Sequence, residues 1–371
     1  MQRHVELPLN PRPMIDERAE RMQLPRRAMK TAETVVLFGG TGFIGTHLTQ
    51  YLLERDLARQ IVLADLNEPR NEAWTARLQE GLRTGAVEYV RCDVREPVRD
   101  ERLPRSVDLI VNLAAIHREP GHEPKEYYET NLRGAEHVCA YATAAQCRRV
   151  VFTSSISPYG PSEEKKDEGT EPAPETPYGK SKLQAERIHR AWQAEDARRK
   201  LVILRPGVVF GAGEGGNVTR LVRSLVKGYF AYMGNRQTRK AGAYVKELCC
   251  VMNFALEHQD RTDEAVTLLN VGMHPTPTLE EFVEAIRRVA GIRRAPMAVP
   301  RWLLLGVSYP MDAVARTLAI RQPVSPVRVR KLFRSTNIDP RGLRELGYQW
   351  QYSMDDAFED WKQDKPEDFA R

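Results

Sequence analysis

Thr34-Val-Val-Leu-Phe-Gly39-Gly-Thr-Gly42-Phe-Ile-Gly45 decides how this chain is read. An apolar, β-branched run stops at a glycine, glycines recur every third residue, and a helical pattern follows over Thr46–Arg55. In a strand–turn–helix unit each of the three has a task. Gly39 permits the tight turn, Gly42 lets the backbone approach a pyrophosphate, and Gly45 lets helix and strand pack closely. The phosphates would rest on the unpaired N–H groups of the helix N-terminus. The context predicts a dinucleotide site.

Working outward, comparable short apolar runs appear at Ile61–Ala64, Val87–Arg91, Val107–Leu113, Val150–Ser154 and Leu201–Leu204. Longer segments with helical spacing lie between them. Near-continuous apolar strands separated by helices predict a parallel sheet covered on both faces, a Rossmann-like doubly wound α/β domain. Asp65 ends the second run. A carboxylate there accepts from the adenosine ribose hydroxyls and repels a 2′-phosphate, so NAD is favoured over NADP, with Arg70 close enough in sequence to bear on the choice. Asp93, in Arg91-Cys-Asp-Val94 at the end of the third run, can hold the adenine amino group. Asn112-Leu113-Ala114-Ala115 closes the fourth, where small side chains let backbone pass beside the cofactor.

Beyond Gly207 the alternation loosens. Gly211–Gly216 is a glycine-rich loop, Arg220–Val226 and Thr278–Val289 read as helices, and Thr262–Val271 contains a strand-like run. Ser162–Glu175, dense in Glu, Lys and Pro, reads as an exposed loop near the site mouth.

Composition narrows the function classes. Among 371 residues, 42% are apolar, enough for a sizeable core. The net charge of +6 is spread among 50 acidic residues without a basic block, which argues against a nucleic-acid partner and leaves a mild bias toward phosphorylated substrates. Five cysteines, Cys92, Cys139, Cys147, Cys249 and Cys250, form no CxxC pair, so neither a disulfide framework nor a metal site is indicated. The most apolar stretch, Trp302–Ile320, is broken by Pro310, Asp312 and Arg316, so membrane insertion is not expected. Residues 1–33 lack the apolar run of a secretory signal and read as an extension, consistent with a cytoplasmic protein.

Tyr178-Gly-Lys-Ser-Lys182 opens a predicted helix over Lys180–Trp192. Positions four apart share a helix face, so phenol and ammonium can address one cleft. A phenol ionises only near pH 10, and an adjacent ammonium favours its phenolate form. Tyr178 can then exchange a proton with a substrate hydroxyl while hydride passes to or from a nicotinamide. Lys182 can also hold the nicotinamide ribose. Ser155, at the end of the fifth run, lies where strand termini face the ligand crevice and can bind the same substrate oxygen; Ser154 is the neighbouring candidate.

This ordered set resembles the extended short-chain dehydrogenase/reductases, in particular the NAD-dependent epimerase/dehydratase branch. The matching pieces are GGTGFIG (39–45), Asp65, Cys-Asp-Val (92–94), NLAA (112–115), Asn131-Leu-Arg-Gly134, FTSSISPYG (152–160), YGKSK (178–182) and RPGVVFG (205–211). The resemblance implies an NAD-binding domain over 34–206, rejoined by 241–273, and a smaller substrate lobe over 207–240 and 274–371. It implies a catalytic set of Ser155, Tyr178 and Lys182, and cofactor-side roles for Phe43, Ile44, Val94, Leu113, Ala114, Ala115 and Asn131. Asn217, Arg239 and Lys240 take substrate positions by the same likeness. Arg236 stands beside them, and a dianionic pyrophosphate wants fixed cations; a solvated basic loop is the other reading of these residues. Val208 stands where sugar epimerases commonly carry an asparagine. The family often forms homodimers through helices near Leu132–Ala145 and Lys180–Trp192.

Within such a family the reaction turns on two positions. Relatives of the sugar 4,6-dehydratases place an Asp-Glu pair directly after the catalytic hydroxyl residue, and sugar-acid decarboxylases place a Glu at the second position. Here the two are Ile156 and Ser157, and neither transfers a proton at neutral pH. Epimerisation of a nucleotide sugar, at C-4 through a transient keto sugar, needs no further acid–base pair and is the reaction implied. The alternatives are a hydroxysteroid- or dihydroflavonol-like dehydrogenase/reductase, with Trp302–Leu305 and Pro310-Met311 lining an apolar pocket, and a non-enzymatic dinucleotide-binding protein.

Overall fold

The computed structural model describes residues 31–117, 121–233, 235–299 and 335–370. Most of the N-terminal extension and the whole of Trp302–Ile320, with the apolar pocket residues read there, lie outside the described residues.

The first half alternates as the sequence reading requires: β1 (Ala32–Phe38), α1 (Phe43–Glu54), β2 (Ala58–Asp65), α2 (Ala76–Thr84), β3 (Val87–Arg91), β4 (Leu109–Asn112), α3 (Pro124–Ala144) and β5 (Arg149–Thr153). Then come β6 (Ser162–Lys166), α4 (Pro177–Ala194), β7 (Lys200–Pro206), β8 (Val208–Phe210), α5 (Asn217–Val226), β9 (Ala231–Met233), β10 (Gly242–Tyr244), α6 (Val245–Arg261) and β11 (Val266–Val271). The last elements are α7 (Leu279–Ala290), β12 (Met297–Val299), β13 (Thr336–Ile338), α8 (Arg341–Glu345) and α9 (Met354–Asp364).

Seven strands form one parallel sheet in the order β11-β7-β5-β4-β1-β2-β3. Every run read from the sequence is a strand of it, and Val266–Val271 adds the seventh. Successive residues of β1 explain why the strands are apolar throughout. Val35 and Leu37 pack with Leu48, Leu52, Met252 and Leu256 from α1 and α6. Val36 and Phe38 pack with Val138, Ala142 and Trp192 from α3 and α4. Both faces of the sheet are covered. Strand order reverses between β1 and β4, and in such sheets ligands bind outside the strand ends at that reversal. The Gly39 turn and the Leu113–Ile116 segment meet there.

A separate apolar cluster gathers Phe210, Val222, Tyr244, Phe282, Ile286, Phe358 and Trp361 around α5, α7 and α9. Helix α7 starts where the sequence predicts: Thr278 caps Glu281 N–H, and the Glu281 carboxylate accepts from Thr278 N–H.

One expectation changes. Ser162–Lys166 is not simply a loop but pairs in parallel with Thr336–Ile338, and Ser162 is buried. Glu168, also expected on an exposed loop, turns inward and accepts from Asn270 N–H at 2.7 Å. Among the described residues no helix is long and apolar enough to cross a membrane.

Candidate active site

The glycine turn owes its shape to contacts that no side chain could enter. Gly39 has φ +74°, and a Cβ there would stand 2.8 Å from Ala114 N and 2.9 Å from Leu113 C, so β1 and β4 exits touch through backbone. A Cβ on Gly45 would stand 2.4 Å from Gly40 O. Gly40, to which the motif reading gave no task, is therefore the floor against which α1 packs. Gly42 differs: its Cβ would meet only Gly39 O, at 3.2 Å. That side of the turn is open, α1 has no side-chain cap, and its first turn carries no acidic residue. Free N–H groups with the positive end of the helix behind them make an anion cradle.

Asp65 lies beside this cradle. Its carboxylate accepts from Thr41 N–H at 3.2 Å and from Asn67 N–H at 3.3 Å, holding it half-buried at the end of β2. Asp93 is gripped by the Arg95 guanidinium, with Nε at 2.9 Å and Nη2 at 2.6 Å, which keeps its carboxyl below the usual range. Val94 is buried where Gly134 lets α3 come close. Phe43 and Ile44, half-buried, open α1, and Phe43 meets the His47 ring edge to face at 5.4 Å.

The fourth-strand exit is held by a buried polar chain. His189 is within hydrogen-bond distance of Ala185 O at Nδ1 (2.8 Å), and burial lowers its pKa to about 4, so the ring is neutral with its proton on Nδ1. Nε2 is then an acceptor and receives Asn112 Nδ2 at 3.3 Å, while Asn112 Oδ1 accepts from Ala114 N–H at 3.2 Å. Asn131 works similarly. Its amide brackets Ile116, accepting from N–H at 3.0 Å and donating to O at 3.2 Å, and also donates to Ser181 Oγ at 2.9 Å. Ser181 Oγ in turn donates to Tyr178 O at 2.8 Å. Asn131 thus ties the segment after β4 to the helix carrying Tyr178.

Helix α4 begins one residue before Tyr178. Pro177 sits at the first position, and the Thr176 hydroxyl accepts from Gly179 N–H. Tyr178 is half-buried, its ring tilted against Tyr127 at 6.1 Å. Lys182, one turn on, is buried; its ammonium donates to Thr153 O at 2.8 Å and lies 4.8 Å over the Phe152 ring. Burial brings its pKa down to about 8, partly opposed by Glu186.

The two adjacent serines separate cleanly. Ser154 is 3% exposed and its hydroxyl donates to Glu186 Oε1 at 2.5 Å. Ser155 is half-buried, accepts from Ser157 N–H at 3.1 Å, and has Ser157 Oγ at the same distance. Ile156 packs on an apolar cluster with Tyr159, Ala241 and Ile338.

Residues expected on the substrate are more dispersed. Arg236 pairs with Glu280 at 3.0 Å, and the Arg239 guanidinium donates to Thr276 O. Lys240 is half-buried, and burial lowers its pKa against the pull of Glu163. Asn217 opens α5, exposed, its side-chain oxygen receiving Arg220 at 2.5 Å. Val208 is 42% exposed. Among the described residues there is no group of three or more His, Cys, Asp or Glu side chains that could hold a metal ion.

Sheet reversal, open glycine cradle, acidic second strand and Tyr–Lys helix together define a dinucleotide-dependent enzyme of the doubly wound class. The NAD dependent epimerase/dehydratase family matches residues 35–272, and the chain belongs to that family. Its cofactor is NAD, which the open Gly42 side and the Asp65 carboxylate fit.

Among curated proteins, the N-acetyl-alpha-D-glucosaminyl-diphospho-ditrans,octacis-undecaprenol 4-epimerase of Escherichia coli O157:H7 is 27% identical, over 87% of this chain and 92% of its own length. The UDP-glucose 4-epimerase of Neisseria meningitidis serogroup C is 26% identical, over 70% of this chain and 83% of its own. Among solved structures, the UDP-glucuronic acid 4-epimerase of Bacillus cereus in complex with NAD superposes with a TM-score of 0.69 at 18% identity, covering 91% of this chain and 99% of that one.

Proposed function

We propose that the chain is an NAD-dependent 4-epimerase of a glycosyl diphosphate, a nucleotide sugar in the first instance, working in surface polysaccharide biosynthesis. One observation carries the reading. Ser155 and the Tyr178–Lys182 helix converge through the Lys182–Thr153 contact, while the two positions after Ser155 hold an apolar side chain and a hydroxyl. Such a site can move a proton at one oxygen and lacks, at those positions, the carboxylates that removing water or carbon dioxide would use. The curated relatives are 4-epimerases by name, one acting on an undecaprenol-linked sugar and the other on UDP-glucose.

In this mechanism Tyr178 takes the proton of the C-4 hydroxyl, and the Ser155 hydroxyl holds the same oxygen. Lys182 supplies fixed positive charge beneath the phenol and a hydrogen bond to the nicotinamide ribose. A bound NAD would supply the hydride acceptor and donor for C-4, with the hydride restored to the opposite face of the sugar. Tyr178 then gives its proton back to the inverted oxygen. Gly39, Gly42 and Gly45 hold the pyrophosphate turn, with Asp65 on the adenosine ribose and Asp93 and Val94 on the adenine side. Phe43, Ile44, Leu113, Ala114 and Ala115 line the cofactor, and Asn131 orders that wall. Asn217, Arg239 and Lys240 receive the sugar diphosphate.

Residues 34–206 with 241–273 form the cofactor domain in this reading, and 207–240 with 274–371 the substrate lobe. The participation of β11 in the sheet and the separate cluster around Phe210 and Trp361 support that division. The enzyme works in the cytoplasm as a homodimer through α3 and α4, and light scattering on the purified protein reads the subunit count.

The test offers purified protein UDP-N-acetylglucosamine, UDP-glucose and undecaprenyl-diphosphate N-acetylglucosamine without added cofactor. Epimer formation without net NADH is expected, and it should be lost in Tyr178→Phe with NAD still bound. Turnover only of alcohols or ketones with stoichiometric cofactor would overturn the reading in favour of a dehydrogenase.

A further inference from the structure

Beneath the site lies an ion pair that the reaction does not use. Glu186 and Arg205 are 2% and 4% exposed and meet through two hydrogen bonds, Nη2 to Oε2 at 2.6 Å and Nε to Oε1 at 2.9 Å. Burying two charges is costly, and an apolar pair of similar size often serves stability as well. What the pair touches gives it another task.

Glu186 belongs to α4, one turn beyond Lys182, and its Oε1 also receives the Ser154 hydroxyl at 2.5 Å. Arg205 belongs to β7, and its guanidinium lies 4.7 Å over the Tyr159 ring. Tyr159 is fully buried and donates from its hydroxyl to Asn270 Oδ1 at 2.9 Å, on β11. Ser154 and Tyr159 are the two ends of the short turn that presents Ser155. Backbone bonds pin the same turn to β7, Ser154 N–H to Leu204 O at 2.7 Å and Ile156 N–H to Pro206 O at 3.2 Å.

We propose that the buried Glu186–Arg205 pair is a positioning element that grips both ends of the Ser155 turn and fixes it against the helix bearing Tyr178. The inference rests on the epimerase reading of Ser155. Groups acting on a transition state must be held to a fraction of an ångström, and small misplacements cost one to two orders of magnitude in rate. Neither Glu186 nor Arg205 meets substrate in this account; the pair acts through the Ser155 turn, while Glu186 also opposes the effect of burial on Lys182, which the Ser154→Ala variant leaves untouched.

Two sets of variants, assayed with UDP-N-acetylglucosamine, test it. Ser154→Ala removes one grip and leaves the ion pair intact. It should lower kcat about tenfold, with KM, bound NAD and Tm little changed. In a Ser155→Ala background the same change should have almost no further effect, because the grip then has nothing to position. Glu186→Leu with Arg205→Met replaces the pair by apolar side chains and should lower kcat by about ten- to a hundredfold while Tm holds. A kcat loss from Ser154→Ala that is undiminished in the Ser155→Ala background, or a fall in Tm with kcat intact, overturns the inference and leaves the epimerase reading standing. Full activity in Ser155→Ala overturns the inference together with the catalytic role of Ser155, whereas a wild-type protein inactive on every glycosyl diphosphate offered overturns the epimerase reading itself.

Discussion

Lys182 and Thr153 are joined by a 2.8 Å hydrogen bond, ammonium to carbonyl, that ties α4 to the last residue of β5. The contact places a buried cation at the junction from which Tyr178 and Ser155 both project, and it makes the site sensitive to pH.

Burial brings the Lys182 pKa from 10.5 to about 8. Activity that needs the charged form should fall above about pH 8, and kcat/KM measured across the neutral to alkaline range checks this. A profile flat to about pH 10 would exclude a charged Lys182 from the mechanism. Stability responds with the opposite sign. Between about 8 and 10.5 the unfolded chain holds a proton that the folded chain has lost, so this group's contribution rises with pH.

His47 and His189 make the acid side equally specific. Burial lowers both from 6.5 to about 4. Above 6.5 both are neutral in either state and contribute no penalty. As pH falls from 6.5 toward 4 the unfolded chain takes up protons first, and each histidine withdraws up to ~3 kcal/mol of stability. Tm should drop steadily across that window, and replacing His189 by a neutral aromatic residue should flatten part of the slope. An unchanged slope refutes the assignment.

The glycines should separate folding from binding. Gly45→Ala puts a methyl group 2.4 Å from Gly40 O, a backbone atom that cannot move aside cheaply, so Tm should fall by several degrees. Gly42→Ala meets only Gly39 O at 3.2 Å. It should fold nearly normally while NAD affinity drops by about tenfold or more, read by calorimetry. Equal effects of the two substitutions on Tm would contradict this division.

Asp65→Ala should loosen NAD by about tenfold and narrow the preference over NADP, because the carboxylate that repels a 2′-phosphate is gone. Dissociation constants for both cofactors measure it, and an unchanged ratio would move the ribose contact elsewhere.

Much of this arrangement was legible in the residues because it depends on local patterns. The strands are short apolar runs, and the glycine spacing and the Tyr178–Lys182 interval each lie within a dozen residues. What the residues do not disclose is non-local. Ser162–Lys166 reads as a polar loop because its partner, Thr336–Ile338, lies far along the chain and contributes little apolar signal. The glycine spacing gives Gly40 no task, and only the packing of α1 against it supplies one. Glu186 follows Lys182 at a helical interval and Arg205 ends an apolar strand, yet only the fold brings them together. Charge alone groups Arg236 with Lys240, and Glu280 on α7 draws it away.

The seventh strand has a bearing on how the protein is made. Strand β7 carries Leu201–Leu204, all fully buried, and one of its two edges is closed only by β11. During synthesis that border stays bare until the ribosome has delivered the chain through Val271. A nascent or shortened polypeptide ending earlier would present an unpaired apolar edge of the kind that recruits other chains. The apolar edge of β7 is thus covered only when the last strand of the sheet has been made.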